Sequence, residues 1–303
     1  MNFTAQDVKA LREKTGCGMM DCKKALTEAN GDMDKAVDFL REQGLAKAAK
    51  KASRIAAEGI AYAVTNAEGT IGVDIEVNAE TDFVAKNAEF QEFVKTLAQT
   101  VMDTNPTDVD DLLTKTAVGT DVKVADLLQE KIQTIGENIK IRRFARFEGS
   151  VATYIHAAGK IGVMVNFETT ADITSDAFKV YAKDIAMQIA AANPSYLDKT
   201  QVTPEVLEHE KKIMTEQVIN EGKPQAIAEK IVMGKIGKFY EENCLVNQVF
   251  VKDNKLTIEQ YTKQVAKELG ATIVIKDFVR FEKGEGLEKR EDNFAEEVAS
   301  MVK

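Results

Sequence analysis

The sequence predicts an α+β protein: an N-terminal three-helix domain, a core of two small antiparallel sheets covered by helices, an inserted helical hairpin and a C-terminal helix. Three observations carry that expectation. The first 44 residues hold three short helical patterns, each with its own start and stop signals. The long middle of the chain repeats itself, and in each copy a strand pattern gives way to helical stripes. A further helical segment interrupts only the second copy.

In order, Thr4 is placed to cap the first helix, with Asp7 favourable near its N-terminus. Val8 and Leu11 supply its apolar face, and Gly16 ends it. The second helix covers Gly18 to Ala29 and stops at Asn30-Gly31. Asp32 caps the third, whose apolar residues are Ala36, Val37, Phe39 and Leu40, and Gly44 is expected to end it. The Ala/Lys-rich stretch from Leu45 to Ala57 reads as a helical linker. So small a domain is marginal by itself.

The repeat aligns Glu58-Gly59 with Glu148-Gly149. Gly69, Ile71, Gly72 and Val73 then fall on Gly159, Ile161, Gly162 and Val163, and Asp82 falls on Asp172. After a two-residue deletion, Phe90, Phe93, Lys95 and Ala98 fall on Phe178, Tyr181, Lys183 and Ala186. The copies also close alike, Phe144, Arg146, Phe147 and Glu148 matching Phe278, Arg280, Phe281 and Glu282. Each copy opens on a hairpin. In the first, Ile71, Val73, Ile75 and Val77 face one way, and Gly72, Asp74, Glu76 and Asn78 the other. A helix striped by Phe90, Phe93, Val94, Leu97 and Val101 follows. More helix leads to a last strand, Ile139 to Phe147 or Ile273 to Phe281.

The insertion runs from about Asn193 to Asn243. Thr203 caps a helix with Pro204 at its first position, striped by Leu207, Met214 and Val218. Lys223-Pro224 starts a second helix, with Ile227, Ile231, Ile236 and Phe239. The two stripes can satisfy each other in an antiparallel hairpin, or pack on a second copy of the chain. Leu287 to Lys303, with Phe294, Val298 and Met301, reads as a final amphipathic helix. The expected domains are therefore 1–54, 55–147, 148–283 with 193–243 inserted, and 284–303.

Composition narrows the function classes. The 303 residues are 44% hydrophobic and 29% charged, with a formal net charge of −9. No stretch reaches the ~20 apolar residues of a membrane helix, and the N-terminus lacks an apolar signal core. A cytoplasmic protein is expected. Net acidity argues against a general nucleic-acid binder. The basic stretch Lys47 to Arg54 could make an RNA-binding translation accessory protein, the alternative reading, but it has no interleaved aromatics for stacking. Cys17, Cys22 and Cys244 suit a reducing compartment and make no zinc pattern with His156 and His209. No phosphate-binding loop, dinucleotide fingerprint or H-E-x-x-H motif occurs. Glu76, Glu80 and Asp82 could be imagined as an acid–base set, against the ordinary reading of solvated or capping carboxylates. No catalytic residue, cofactor or metal is expected; the chain reads as a binding protein and not an enzyme.

One loop departs from this background. Ala79 to Lys86 sets Phe83 among polar and small residues, beside the two-residue excess over the second copy. Loops on rigid scaffolds often carry binding residues. Alternatively Phe83, seven residues before Phe90, simply begins the buried helix stripe.

The string EVNAETDFVAK (Glu76 to Lys86) resembles one signature of the elongation factor Ts family, and LREKTGCGMMDCKKAL (Leu11 to Leu26) another. TIGENIKIRR (Thr134 to Arg143) and RFEKGEG (Arg280 to Gly286) are similar too, so the resemblance runs from end to end. It implies an N-terminal domain of ubiquitin-associated type, a duplicated core, an inserted dimerisation module and a C-terminal helix. It also implies a partner, elongation factor Tu, whose GDP release the factor promotes. Thr81, Asp82, Phe83 and Val84 match the element that disturbs the partner's magnesium site, with Phe83 as a wedge between two helices of the GTPase domain. Ile135 and Gly136 match core residues abutting that domain, and His156 matches a second-copy segment near the partner. Lys9, Arg12, Met19 and Met20 match the docking surface of the N-terminal motif. Glu80 departs from the family pattern, where many members carry glutamine.

Overall fold

A computed structural model describes residues 3–289. The helix expected from Leu287 to Lys303 lies outside the described residues beyond Lys289. The chain forms two compact units, one of residues 3–62, 75–144 and 282–289, the other of 63–74 and 145–281.

The N-terminal helices are α1 (Ala5–Thr15), α2 (Met19–Glu28) and α3 (Met33–Lys51). Thr4 and Asp7 form a reciprocal capping box on α1, and the Asp32 carboxylate caps α3 by accepting from Asp34 and Lys35 N–H. Leu11, Cys22, Ala25, Leu26, Ala36 and Leu40 fill a small apolar core between them. Gly44 does not end the third helix as expected. It sits inside α3, which runs on through the Ala/Lys-rich stretch to Lys51. A glycine in a helix interior costs only about 1 kcal/mol relative to alanine, and the strong helix formers that follow outweigh it. The missing Cβ has a use as well, since the end of the Gln133 side chain occupies the space a Cβ would fill.

Strands β1 (Glu58–Thr65) and β2 (Ile71–Ala79) form the first hairpin. The short α4 (Asp82–Lys86), α5 (Ala88–Thr104), α6 (Val109–Thr114) and α7 (Val124–Ile135) lead to β3 (Lys140–Glu148), giving a sheet of order β1-β2-β3. The second hairpin pairs β4 (Ser150–His156) with β5 (Ile161–Thr169) antiparallel, Tyr154 opposite Val163. Then come α8 (Asp176–Ala192), the inserted α9 (Pro204–Asn220) and α10 (Gln225–Asn243), β6 (Val249–Phe250), β7 (Asp253–Thr257), α11 (Ile258–Glu268) and β8 (Ile273–Glu282). The second sheet has the order β4-β5-β8, and β6 and β7 pair as a small antiparallel ribbon. The protein is thus α+β, with N-terminal helices and small antiparallel sheets.

Helix α5 buries Phe90, Phe93, Val94, Leu97 and Val101, the stripe read from the sequence. Helix α8 buries Phe178, Tyr181, Ile185 and Ile189 against Val163, Val165 and Phe167. Both helices have 17 residues, and both end on an asparagine in the left-handed conformation, Asn105 at φ 45° and Asn193 at φ 44°. Thr203 and Pro204 start α9 as expected. Helices α9 and α10 pack through Val218, Ala228 and Val232. At their base, Ser195 and Tyr196 N–H donate to Asn243 O at 2.9 and 3.1 Å.

The polar face of β2 is the main departure from the alternation. Glu76 reads from the sequence as a solvated or capping carboxylate, yet Asp74, Glu76 and Asn78 are as buried as Val73, Ile75 and Val77. Buried polar groups need partners, and Glu76 has four. It accepts from Arg142 Nη1 (2.9 Å), Arg143 Nε (2.7 Å), Asn78 Nδ2 (3.1 Å) and Gly284 N–H (2.8 Å). Burial pushes its pKa up, but the hydrogen bonds from Asn78, Gly284 and the two arginines outweigh that and hold it below the ordinary value. In the second unit, a Cβ on Gly72 would strike Val151 Cγ1, and a Cβ on Gly162 would strike Asp74 Oδ1. The sequence alignment matches Gly72 with Gly162, and each lets a side chain from a strand of the other sheet approach its backbone.

Gly72→Ala should therefore destabilise the protein by about 1–3 kcal/mol, the usual cost of overpacking a stiff site. Urea unfolding checks this. Gly234→Ala in α10, where nothing lies within 4 Å, should stabilise by up to about 1 kcal/mol. Equal effects from the two would contradict the packing described.

Candidate functional site

After β2 the chain turns at Glu80 and Thr81 into α4. Thr81 Oγ1 caps this helix by accepting from Val84 N–H at 3.4 Å. Asp82 and Lys86 pair across its single turn at 2.6 Å, a bond that holds the Asp82 carboxyl below its ordinary pKa. Asn87 then breaks the path. Its backbone is extended, and its side chain caps α5 by accepting from Glu89 N–H at 2.7 Å. Phe83 therefore belongs to a separate helix, and its seven-residue distance from Phe90 carries no common stripe. Val84 turns inward, whereas Phe83 is 79% exposed. The reading of Phe83 as the start of the buried stripe fails for this reason. The Lys86 ammonium lies 5.8 Å from the ring centre, within cation–π range.

The turn is held from behind. Helix α7 ends at Gly136 in the left-handed conformation, φ 87°. The next residue, Glu137, accepts from Glu80 N–H (3.1 Å) and Thr81 N–H (3.0 Å) through Oε2, and from the Thr81 hydroxyl (2.7 Å) through Oε1. In return Glu80 Oε1 accepts from Asn138 N–H at 2.6 Å. Asn138 Nδ2 donates to Arg54 O at 2.7 Å, and Arg54 Nη1 to Glu80 Oε1 at 3.4 Å. The turn 80–82 and the turn 136–138 thus exchange carboxylate-to-backbone bonds. A glutamine at position 80 could accept through its amide oxygen, so Glu80 does not break the element it adjoins.

Ile135 is half-buried at the end of α7 and Gly136 is exposed. Lys9, Arg12, Met19 and Met20 are exposed on α1 and α2, Met20 at 74%. The loop joining those two helices meets α7, because a Cβ on Gly16 would lie 3.0 Å from Thr134 Cγ2. Helix α3 also packs on α7, with Arg41 and Asp126 at 3.9 Å. One unit therefore brings together the loop at 16–18, the end of α7 and the Phe83 turn. His156 belongs to the other unit; it is exposed at the end of β4, with Nδ1 3.2 Å from Tyr154 Oη. Sequence reasoning missed Thr134, Glu137, Asn138 and Arg54. The string TIGENIKIRR was visible, but nothing local marks a glutamate that binds backbone 56 residues away.

The imagined acid–base set does not assemble. Glu76 is enclosed by two arginines, Glu80 accepts from Asn138 and Arg54, and Asp82 is tied to Lys86. Glu76 and Asp82 are both held below their ordinary pKa, the opposite of what a general acid needs. Two cations of the basic stretch are engaged within the chain, Lys51 with Ile132 O (3.5 Å) and Arg54 with Glu80. Cys17, Cys22 and Cys244 are all buried. No helix among the described residues is long and apolar enough to cross a membrane.

The family model described as elongation factor TS matches residues 80–285, a span that begins at the Phe83 turn. The chain belongs to the elongation factor Ts family. It is 50% identical to elongation factor Ts of Clostridium kluyveri, over 99% of both chains. It is also 50% identical to elongation factor Ts of Syntrophotalea carbinolica over the full length of both, and 51% identical to that of Clostridium perfringens over 99% of both. The elongation factor Ts family match covers Thr81 to Val84, Ile135, Gly136, Glu137 and His156. The N-terminal helices lie outside the family model but inside the full-length likeness to the elongation factor Ts relatives.

The exposure of Phe83 makes a direct stability prediction. Phe83→Ala should leave the urea midpoint within error of the parent, because no buried contact is lost. Phe90→Ala, at a fully buried position, should cost about 3–5 kcal/mol. Equal destabilisation by both would put Phe83 back in the core.

Proposed function

We propose that this protein binds elongation factor Tu in its GDP-bound form and promotes GDP release by disturbing the magnesium and phosphate site of the GTPase, leaving a complex that persists until GTP binds. The observation that carries this reading is the large aromatic of Phe83, exposed at the tip of a turn that is itself hydrogen-bonded in place. Thr81, Asp82, Phe83 and Val84 are the element acting on the magnesium site. Ile135, Gly136 and His156 are further contacts, and Lys9, Arg12, Met19 and Met20 dock the N-terminal helices on the GTPase. The chain is no enzyme in this reading; it contributes binding energy and no reacting group. It works in the cytoplasm, without a membrane or nucleic-acid partner and without a cofactor.

The physics is allosteric. A factor that weakens GDP binding is weakened equally by GDP. Magnesium bridges nucleotide phosphates to a GTPase, so displacing it removes a large part of nucleotide affinity. Burying one phenylalanine contributes roughly 1.5–3 kcal/mol, enough to drive part of that distortion.

The same reading assigns 1–54 as a ubiquitin-associated-type domain with its linker, and 55–147 and 148–283 as two copies of one core unit. Support for the duplication comes from the equal lengths and matching asparagine caps of α5 and α8. The segment 193–243 is a dimerisation module, supported by Ile213, Ile219, Ile227 and Met233, which stay exposed on α9 and α10. Residues 284–303 are a C-terminal module.

Mixing the protein with elongation factor Tu loaded with fluorescent GDP should accelerate nucleotide release in a saturable way. Release no faster than from the GTPase alone would end the proposal. Sedimentation should show some dimer for the full chain and only monomer when residues 199–241 give way to a short linker. Identical behaviour would remove the dimerisation assignment.

A further inference from the structure

We propose that Glu137 is a positioning residue for Phe83: its carboxylate holds the turn 80–82 so that the phenylalanine ring stands ready for the partner. This rests on the reading of Phe83 as the residue that acts on the GTPase. Glu137 itself need not touch the partner.

Three facts lead to Glu137. First, the Phe83 ring is 79% exposed, with the Lys86 ammonium 5.8 Å from its centre. The ring's location is therefore set by its backbone and not by side-chain packing. Second, that backbone is tied to Glu137 by three bonds, from Glu80 N–H, Thr81 N–H and the Thr81 hydroxyl. Bonds to an ionised carboxylate are roughly twice as strong as neutral ones. Third, the anchor is fixed. Glu137 follows directly on α7, against which α3 and the loop at Gly16 pack. The next residue returns the bond, Asn138 N–H to Glu80 at 2.6 Å. A turn held at both ends presents Phe83 in one place.

The consequence is preorganisation. A binding-competent conformation that is only fractionally populated weakens apparent affinity by that fraction. Without Glu137, the N–H groups of Glu80 and Thr81 turn to water, and the one-turn α4 loses the support on which its cap depends. The ring is then presented for only part of the time. Binding and release weaken together, while the buried core, which Glu137 does not enter, stays as it is.

The test uses the full chain and four variants: Glu137→Ala, Glu137→Gln, Phe83→Ala and the double variant Glu137→Ala/Phe83→Ala. Each is melted, then titrated against the GTPase loaded with fluorescent GDP. For Glu137→Ala, GDP release at sub-saturating factor should fall about tenfold if the competent fraction falls to about a tenth, with melting close to the parent. Glu137→Gln keeps an acceptor oxygen for both N–H groups and should recover most of the rate. In the Phe83→Ala background, adding Glu137→Ala should have little further effect, because both act through one ring.

Parent-like release by Glu137→Ala, in a series where Phe83→Ala is slow, would overturn the positioning role alone. So would a Glu137→Ala effect that persists undiminished in the Phe83→Ala background. Parent-like release by Phe83→Ala would instead remove the reading of Phe83 itself, and the positioning role with it. If Glu137→Ala melts early, Glu137→Asp takes its place, since it keeps the charge and withdraws the carboxylate by one methylene. Parent-like release by that variant would count against the role in the same way.

Discussion

The exchange of carboxylate bonds between the turns at 80–82 and 136–138 is the constraint that ties down the turn carrying Phe83. A phenylalanine left in water tends to collapse onto the nearest apolar surface, because apolar burial is favourable and non-directional. Keeping it exposed needs a backbone that has no freedom to fold back. Glu137 bonds the turn that carries Phe83 from one side and Glu80 bonds back from the other, with Arg54 and Asn138 closing the ring of bonds. Helix α7 ends at this point, so whatever holds α7 also holds the turn. The N-terminal helices pack on α7 through positions whose glycines allow close approach.

A second constraint lies on β2. A strand with both faces buried must satisfy its polar face internally, and Glu76 does so through Arg142, Arg143, Asn78 and the Gly284 backbone. This ties the segment after β8 to the first sheet. The arrangement is more directional than an apolar contact would be. Removing one partner of a buried ionic group costs far more than the group contributes net. Because the Glu76 pKa is held below its unfolded value, its contribution is present above the unfolded pKa and is lost as pH falls through the folded one.

Much of the fold was legible because its signals are local. Thr4 with Asp7, Asp32 and Thr203-Pro204 are side-chain-to-backbone caps within four residues, and the structure uses each one. The stripe from Phe90 to Val101 was equally plain. Gly44 misled because a glycine marks a helix end only when the following residues fail to continue the helix, and here they are good formers. Glu76 misled because a strand carboxylate looks the same whether it meets water or a pair of half-buried arginines. Phe83 stayed ambiguous because periodicity cannot see the break at Asn87, and family resemblance was needed to favour the exposed reading. Glu137 was invisible because its bonds span more than fifty residues of chain.

The central claim is that an exposed, positioned Phe83 couples binding of this factor to loss of GDP from its partner GTPase. Calorimetric titration of the partner with the factor, in the presence and absence of GDP, and with GDP in the presence and absence of the factor, measures that coupling from both sides. The two ratios should be equal, as linkage requires, and both should shrink toward one for Phe83→Ala. A factor that binds the GTPase equally well with and without GDP would contradict the claim.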